Sequence, residues 1–280
     1  LQRKQVHDGL LKMAAAQYEE FVIKLKTKHK QMKNDVLDPE YGARELSLFS
    51  QWLDEREGEP FTAIVDGANV GYFGHFSVHY SQIEGMVRKL EAMGENPLVV
   101  MPVKYVAPSF MVSSRFQQKQ KPEELESMQR LLDEGKIYQV PAKCLDDYYW
   151  MLASVSDQTT SRNGADIDVS PNNKDGRFPG LRPMVITNDQ MRDHHLDLIE
   201  RRLFRRWCSC HIVNYDFASY EEDEWLERNI MFTSMDFFSN EIQSNPSSSE
   251  STDDNSGKVW HFPVSDWEDV NERFCIRIPR

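Results

Sequence analysis

The amino-acid sequence predicts an α/β fold in which a parallel β-sheet lies between two layers of helices, with further helices ahead of it. Three observations lead there. Short apolar runs alternate with amphipathic helical stretches, the order that right-handed strand–helix–strand crossovers require. FTAIVD (61–66) and PMVIT (183–187) are nearly unbroken apolar runs, as strands covered on both faces are. Aspartates follow three of the strands, at the sheet edge where such folds bind ligands.

Each element has its own signal. Residues 1–34 are helical, with Leu10, Leu11, Ala14, Ala15, Tyr18, Phe21, Val22 and Leu25 at three- and four-residue spacing. Lys24, Lys26, Lys28, Lys30 and Lys33 suit a helix C-terminus, and Asp38-Pro39 breaks the pattern. A second helix, 43–56, carries Leu46, Phe49, Trp52 and Leu53 on one face. Strand 61–66, helix 81–93, strand 97–105, helix 121–135, strand 136–140, helix 145–156 and strand 183–187 follow, with IVNY after residue 211 as another strand. Pro122 opens helix 121–135 and Gly135 closes it. Two stretches interrupt the alternation: 157–180 is polar and rich in Gly, Asn and Pro, and 239–257 is low-complexity and Ser-rich. Both are expected to be flexible insertions. There is no internal repeat.

The chain has 280 residues, enough for one large domain or two smaller ones with real cores. No run nears the ~18 apolar residues of a membrane helix. The net charge of −12 argues against a simple basic nucleic-acid-binding module. It leaves room for a nuclease whose carboxylates hold cations. Four cysteines, Cys144, Cys208, Cys210 and Cys275, are too few and scattered for a disulfide scaffold, so a reducing compartment is expected. Leu1 opens the chain without Met or a signal-peptide layout. The sequence therefore reads as a piece of a longer protein whose targeting segment it does not contain.

The aspartates carry the functional argument. Asp66 ends the first strand, Asp146 and Asp147 follow the third, and Asp189 follows PMVIT with Asp193 one turn later. Converging at one sheet edge, they would repel one another unless cations sat between them. An all-oxygen set selects Mg²⁺ or Mn²⁺ over zinc. Each also has a structural reading. Asp146 and Asp189 could cap helices, and Asp147 could complement a helix dipole. Gly67 could serve a tight turn and Asn69 a local hydrogen bond. Joint placement at successive strand ends favours the metal reading.

VDGANVG, DDYYW (146–150), TNDQMRDH (187–194) and VWHFP (259–263) resemble the metallonuclease domain of the protein-only RNase P (PRORP) family. The resemblance spans roughly 43–280, and the first helix resembles part of the family's central domain. It implies a three-layer NYN/PIN-like (Rossmann-like) nuclease domain over 43–238. It also implies a helical linker at 1–42 and a segment, 258–280, returning to the central domain. It implies removal of the 5′ leader from precursor tRNA with two Mg²⁺ (or Mn²⁺) ions. The catalytic, metal-holding residues would be Asp66, Asp146, Asp147 and Asp189. Asp193 would be a further ligand or a group behind one. Asn69 would orient Asp66 or a metal-bound water, and His194 would contact phosphate or orient a carboxylate. The products would be a 5′-phosphate and a 3′-hydroxyl.

The resemblance extends to a structural zinc site joining an upstream Cys-x-x-Cys pair to a late His and Cys. His261 and Cys275 match the late pair; the chain contains no Cys-x-x-Cys, and the expectation is that it begins beyond that motif. Two ligands alone would hold zinc poorly. Cys208, Cys210 and His211 (RRWCSCH) lack a second pair and read as structural, and Cys144 reads as a small buried residue. Tyr148, Tyr149 and Trp150 read as core, with Trp150 beneath the site. Arg192, Arg201, Arg202, Arg205 and Arg206 could meet phosphates or form a solvated helix face. Family members grip the tRNA elbow with an N-terminal pentatricopeptide-repeat array, so these residues alone are expected to bind tRNA weakly. A mitochondrial, other organellar or nuclear location is implied, with no membrane partner. Competing readings are another NYN/PIN-like ribonuclease with a non-tRNA substrate, a non-catalytic RNA-binding module, and an Asp-x-Asp phosphatase. The last lacks its second acid, because Ala68 stands there.

Overall fold

The computed structural model describes residues 2–28, 40–113, 115–156, 183–189, 201–217, 230–233, 243–244, 258–263 and 273–278. Two helices lead: α1 (Gln2–Lys28) and α2 (Tyr41–Glu55). They cross closely at Gly42, where a Cβ would collide with the Ala14 carbonyl. The alternation then runs β1 (Ala63–Asp66), α3 (Gly67–Tyr72), α4 (Tyr80–Ala92), β2 (Pro97–Pro102), a 3-10 turn (Val103–Tyr105), β3 (Ser109–Ser113), β4 (Phe116–Lys119), α5 (Pro122–Asp133), β5 (Ile137–Val140), α6 (Asp146–Val155) and β6 (Met184–Ile186). After these come α7 (Arg201–His211), β7 (Ile212–Phe217), β8 (Ile230–Thr233), β9 (Gln243–Ser244), β10 (Lys258–Pro263) and β11 (Arg273–Ile278).

The main sheet has the order β5-β2-β1-β6-β7-β8. Its first five strands pair parallel, and β8 closes one edge antiparallel to β7. The three-layer fold follows from side-chain alternation along the strands. In β1 and β2, Ile64, Leu98 and Val100 face a core shared with α1, α2, α6 and α7. Ala63, Val65, Val99 and Met101 face the opposite core, with α4 and α5. Both faces of β1 are dry, which is why its sequence reads as an unbroken apolar run.

Several expectations need correction. The strand expected at 97–105 stops at Pro102, and the chain turns there into a 3-10 segment. A hairpin, β3 with β4, fills the next stretch, where the sequence pattern predicts no strand. The structural reading of RRWCSCH, by contrast, needs no correction: Cys208, Cys210 and His211 lie in α7, ahead of β7, and His211 Nδ1 is 2.9 Å from the Pro183 carbonyl. Gln243–Ser244, inside the Ser-rich stretch, forms β9 against β10. The 157–180 insertion lies outside the described residues. Among the described residues, no helix is long and apolar enough to cross a membrane.

One ionic joint ties α4 to α5. Glu124 accepts hydrogen bonds from the Ser81 N–H (2.9 Å) and the Ser81 hydroxyl (2.8 Å), and its carboxylate lies 3.4 Å from His79 Nδ1. Burial alone would oppose ionisation of Glu124, but His79 and Ser81 outweigh it and hold the carboxyl at about 2. The depressed value means that this stabilisation is present above the ordinary glutamate range and is lost as pH falls from about 4.3 towards 2. Glu124→Gln should cost ~1–3 kcal/mol at pH 7. Its stability should also decline less than the parent's between pH 4.5 and 2, measured by urea melts across that window.

Candidate metal centre

Asp66 stands where β1 gives way to α3. Only a small residue can follow it: a Cβ at Gly67 would come within 2.7 Å of Val99 Cγ1 and 3.0 Å of the Val100 carbonyl oxygen. The Asp66 carboxylate is 4% exposed. Its Oδ1 accepts from the Asn69 N–H at 3.0 Å, capping α3, and its Oδ2 accepts from the Thr187 hydroxyl at 2.8 Å. The cap and the site are thus built from the same side chain, one oxygen serving each neighbour.

Thr187 and Asn188, beyond β6, extend this network. The Asp189 N–H donates to Thr187 Oγ1 at 3.1 Å. The Asn69 side-chain oxygen accepts from the Asn188 N–H (3.0 Å) and the Tyr215 hydroxyl (2.7 Å). Asn188 in turn exchanges two bonds with the backbone of Tyr215 in β7, at 2.8 and 3.0 Å. The ends of β1 and β6 and the strand β7 are joined through polar side chains, with Asp66 at the centre.

Asp146 and Asp147 arrive by another route. They occupy the first turn of α6, whose cap position is Leu145, with no side-chain cap bond. Asp146 is therefore not the helix cap. β5, which precedes them, is separated from β1 by β2. They reach the centre because α6 packs across β1, β2 and β6. Asp66, Asp146, Asp147 and Asp189 all line one open pocket of about 500 Å³, with Asn69, Tyr72, Phe73, Tyr105 and Asn188.

The electrostatics are those of crowded like charge. Asp66 is held well above the ordinary carboxylate range, first by burial, then by Asp146, with Asp147 adding to it. Asp146 is pushed up to about 7, first by burial, then by Asp147, with Asp189 contributing and Lys104 opposing. Among the described residues, no group of three His, Cys, Asp or Glu side chains is gathered tightly enough to hold an ion as it stands. The carboxylates ring the pocket instead of meeting at a point, as like charges do. An all-oxygen set around a partly solvated pocket, with acids strained towards protonation, fits a hard divalent cation.

Asp193, His194 and Arg192 lie outside the described residues; Arg201 and Arg205 lie on α7. The register of β10 and β11 sets His261 opposite Cys275. Asn69 orients Asp66 through its main chain, while its side chain holds Asn188 and Tyr215. Sequence reasoning passed over Thr187, Asn188, Tyr215 and Lys104. The polar Thr-Asn pair ending an apolar strand immediately before Asp189 was the available signal.

Fold and pocket together define an NYN-type domain, a mostly parallel sheet with carboxylates at its carboxyl edge. It matches the crystal structure of nuclear proteinaceous RNase P 2 from Arabidopsis thaliana with a TM-score of 0.52 at 24% identity, covering 82% of this chain and 40% of that one. The chain is similar in sequence to the proteinaceous RNase P proteins of A. thaliana. It is 27% identical over 229 residues to Proteinaceous RNase P 2 of A. thaliana, which covers 79% of this chain and 33% of the relative. It is 24% identical over 230 residues to Proteinaceous RNase P 1, chloroplastic/mitochondrial, from the same plant, covering 80% and 31%. The chain thus spans about a third of the length of the curated relatives it matches. No family model matches it.

Asp66 and Asp146 are raised above the unfolded aspartate value of about 3.9, so the folded protein binds protons that the unfolded chain has released. The stability linked to Asp146 is complete below about pH 4 and is lost as pH rises through about 7, and Asp66 acts in the same direction. Metal-free protein should therefore melt several degrees lower at pH 8 than at pH 5, and millimolar Mg²⁺ should restore the difference by mass action. Asp146→Asn should flatten the pH trend and raise the metal-free melting temperature at pH 8. Parallel trends in the two proteins would contradict the electrostatic account.

Proposed function

We propose that the chain is the nuclease portion of a metal-dependent endoribonuclease that removes the 5′ leader of precursor tRNA. The observation that carries this reading is the convergence of Asp66, Asp146, Asp147 and Asp189, from three separate strand ends, on one pocket. The similarity to proteins named proteinaceous RNase P supplies the substrate class. A second portion, a pentatricopeptide-repeat array expected in the full-length protein, would grip the tRNA. Organelle or nucleus is the proposed location, as the descriptions of the relatives suggest.

Those four aspartates would hold Mg²⁺ or Mn²⁺, two ions in all, with Asp193 as a further ligand or a group behind one. When bound, such ions lower the pKa of water and neutralise charge that builds on a phosphodiester. The chain's own residues fix the frame. Thr187 and the Asn69 N–H hold Asp66 in a single rotamer. The first turn of α6 presents Asp146 and Asp147 with the favourable end of its dipole behind them. Tyr72, Phe73 and Tyr105 give the pocket an aromatic wall. Hydrolysis in line with the leaving 3′ oxygen would leave a 5′-phosphate on the tRNA. His261 and Cys275 would be completed as a structural zinc site by an upstream cysteine pair.

With enzyme in excess over labelled precursor tRNA in Mg²⁺, cleavage at the mature 5′ end is expected. Asp66→Asn, Asp146→Asn or Asp189→Asn should each slow it by more than ~100-fold, beyond the range typical of groups that only orient a ligand. Thr187→Val, which removes the hydroxyl that supports Asp66 and accepts from the Asp189 N–H but leaves all four carboxylates, should fall within about 10–100-fold. Unchanged cutting by the aspartate variants would remove the assignment.

A further inference from the structure

Two segments of this acidic chain contain no acid at all. Residues 67–83 and 96–122 lack Asp and Glu, although the whole carries a net charge of −12. The second contains Lys104, Arg115, Lys119 and Lys121. Both segments leave the carboxyl edge of the sheet, the first from β1 into α4, the second from β2 through the β3–β4 hairpin into α5.

They form one built lobe. The buried Gln118 side chain donates to the Val78 carbonyl at 2.7 Å and accepts from the Val78 N–H at 2.9 Å, clamping the hairpin to loop 73–79 as a backbone strand would. The Tyr80 hydroxyl donates to the Tyr105 carbonyl at 3.1 Å, and the Gln120 N–H donates to the Pro108 carbonyl at 2.9 Å. Phe110 and Gln118 face inward, whereas Met111 and Lys119 face outward. Phe76 at the tip of the loop is 95% exposed, and Phe116 on the hairpin is 49% exposed. Arg115, Lys119 and Lys121 are exposed too, and among the described residues they form no ion pair. The lobe borders the pocket directly, through Tyr72, Phe73 and Tyr105 in its wall and through Lys104, whose charge acts on Asp146.

An aromatic ring left in water on a hydrogen-bonded loop, in a lobe whose two segments carry cations and no acid of their own and whose neighbour Glu124 is taken up by Ser81 and His79, is the composition of a single-strand platform. Bases stack on such a ring only if they are unpaired, and the cations follow the backbone. We propose that the lobe made by loop 73–79 and the β3–β4 hairpin binds single-stranded RNA flanking the cut, with Phe76 stacking on a base and Arg115, Lys119 and Lys121 contacting phosphates. The inference rests on the nuclease reading and extends it: the unpaired side of the substrate enters the pocket along this lobe.

The test is fluorescence anisotropy of a labelled 12-nucleotide single-stranded RNA, and of the same sequence as a duplex, with the protein in EDTA to prevent cutting. Single strands should bind more tightly than duplex. Phe76→Ala should weaken the single strand by about 5- to 150-fold. Joint replacement of Arg115, Lys119 and Lys121 by Ala should flatten the slope of log affinity against log salt by roughly 0.7 for each phosphate that is no longer neutralised. Met93→Ala, an exposed apolar residue after α4, should change nothing, and unchanged melting temperatures would show that each variant is folded. No measurable binding by the parent overturns the proposal. So does binding that is indifferent to the lobe variants, which would leave the lobe as a surface for a protein. Asp146→Asn separates the two readings. Lost cleavage with indifferent lobe variants sinks only the platform. Retained cleavage with lobe-dependent binding sinks only the metal-centre reading.

Discussion

The arrangement depends on a carboxylate taken out of water at the end of the central strand. Asp66 can be kept there only if both oxygens are occupied, because a buried polar atom without a partner is costly. One oxygen takes the Asn69 N–H and the other takes the Thr187 hydroxyl. Those donors are themselves fixed: the Thr187 N–H donates to the Val213 carbonyl, and its own carbonyl accepts from Asn214. In a low-dielectric interior such a network is stiff, and it passes its stiffness to the next residue in line, Asp189.

The other two acids are positioned chiefly by the packing of the helix that carries them. Every residue of α6 from Tyr148 to Val155 is buried. Trp150 stacks with Trp207 at 6.1 Å, and Tyr149 meets Phe49 at 5.1 Å. The Trp207 indole N–H donates to the Ser154 hydroxyl at 2.8 Å, tying α7 to α6. A helix clasped along its length can hold two acids at its half-buried first turn against their mutual repulsion. One wall of the pocket is therefore stitched and the other is wedged, and the two meet through the repulsion between their carboxylates.

This division explains what could be read in the sequence. The continuous run of β1, the paired acids opening α6 and the acid after PMVIT each announce themselves locally, through periodicity or residue type. The Asn69–Tyr215 and Thr187–Asp66 bonds join residues 146 and 121 positions apart, and no local pattern encodes such a pairing. The β3–β4 hairpin hid for a different reason. Its inward positions mix Phe110 with Gln118, so the apolar alternation that marks a strand is broken by the residue that clamps the hairpin in place. The antiparallel strand β8 is four residues long, too short for its pattern to stand out.

The direction of α6 has a corollary. The helix starts at the acids and finishes at the opposite rim of the sheet, where Met184 of β6 also begins, its N–H donating to the Thr62 carbonyl at 2.9 Å. The stretch that joins Val155 to Met184 is thus anchored at both ends on the rim away from the chemistry. A change in the spacing between those two ends would not by itself displace Asp66, Asp146, Asp147 or Asp189.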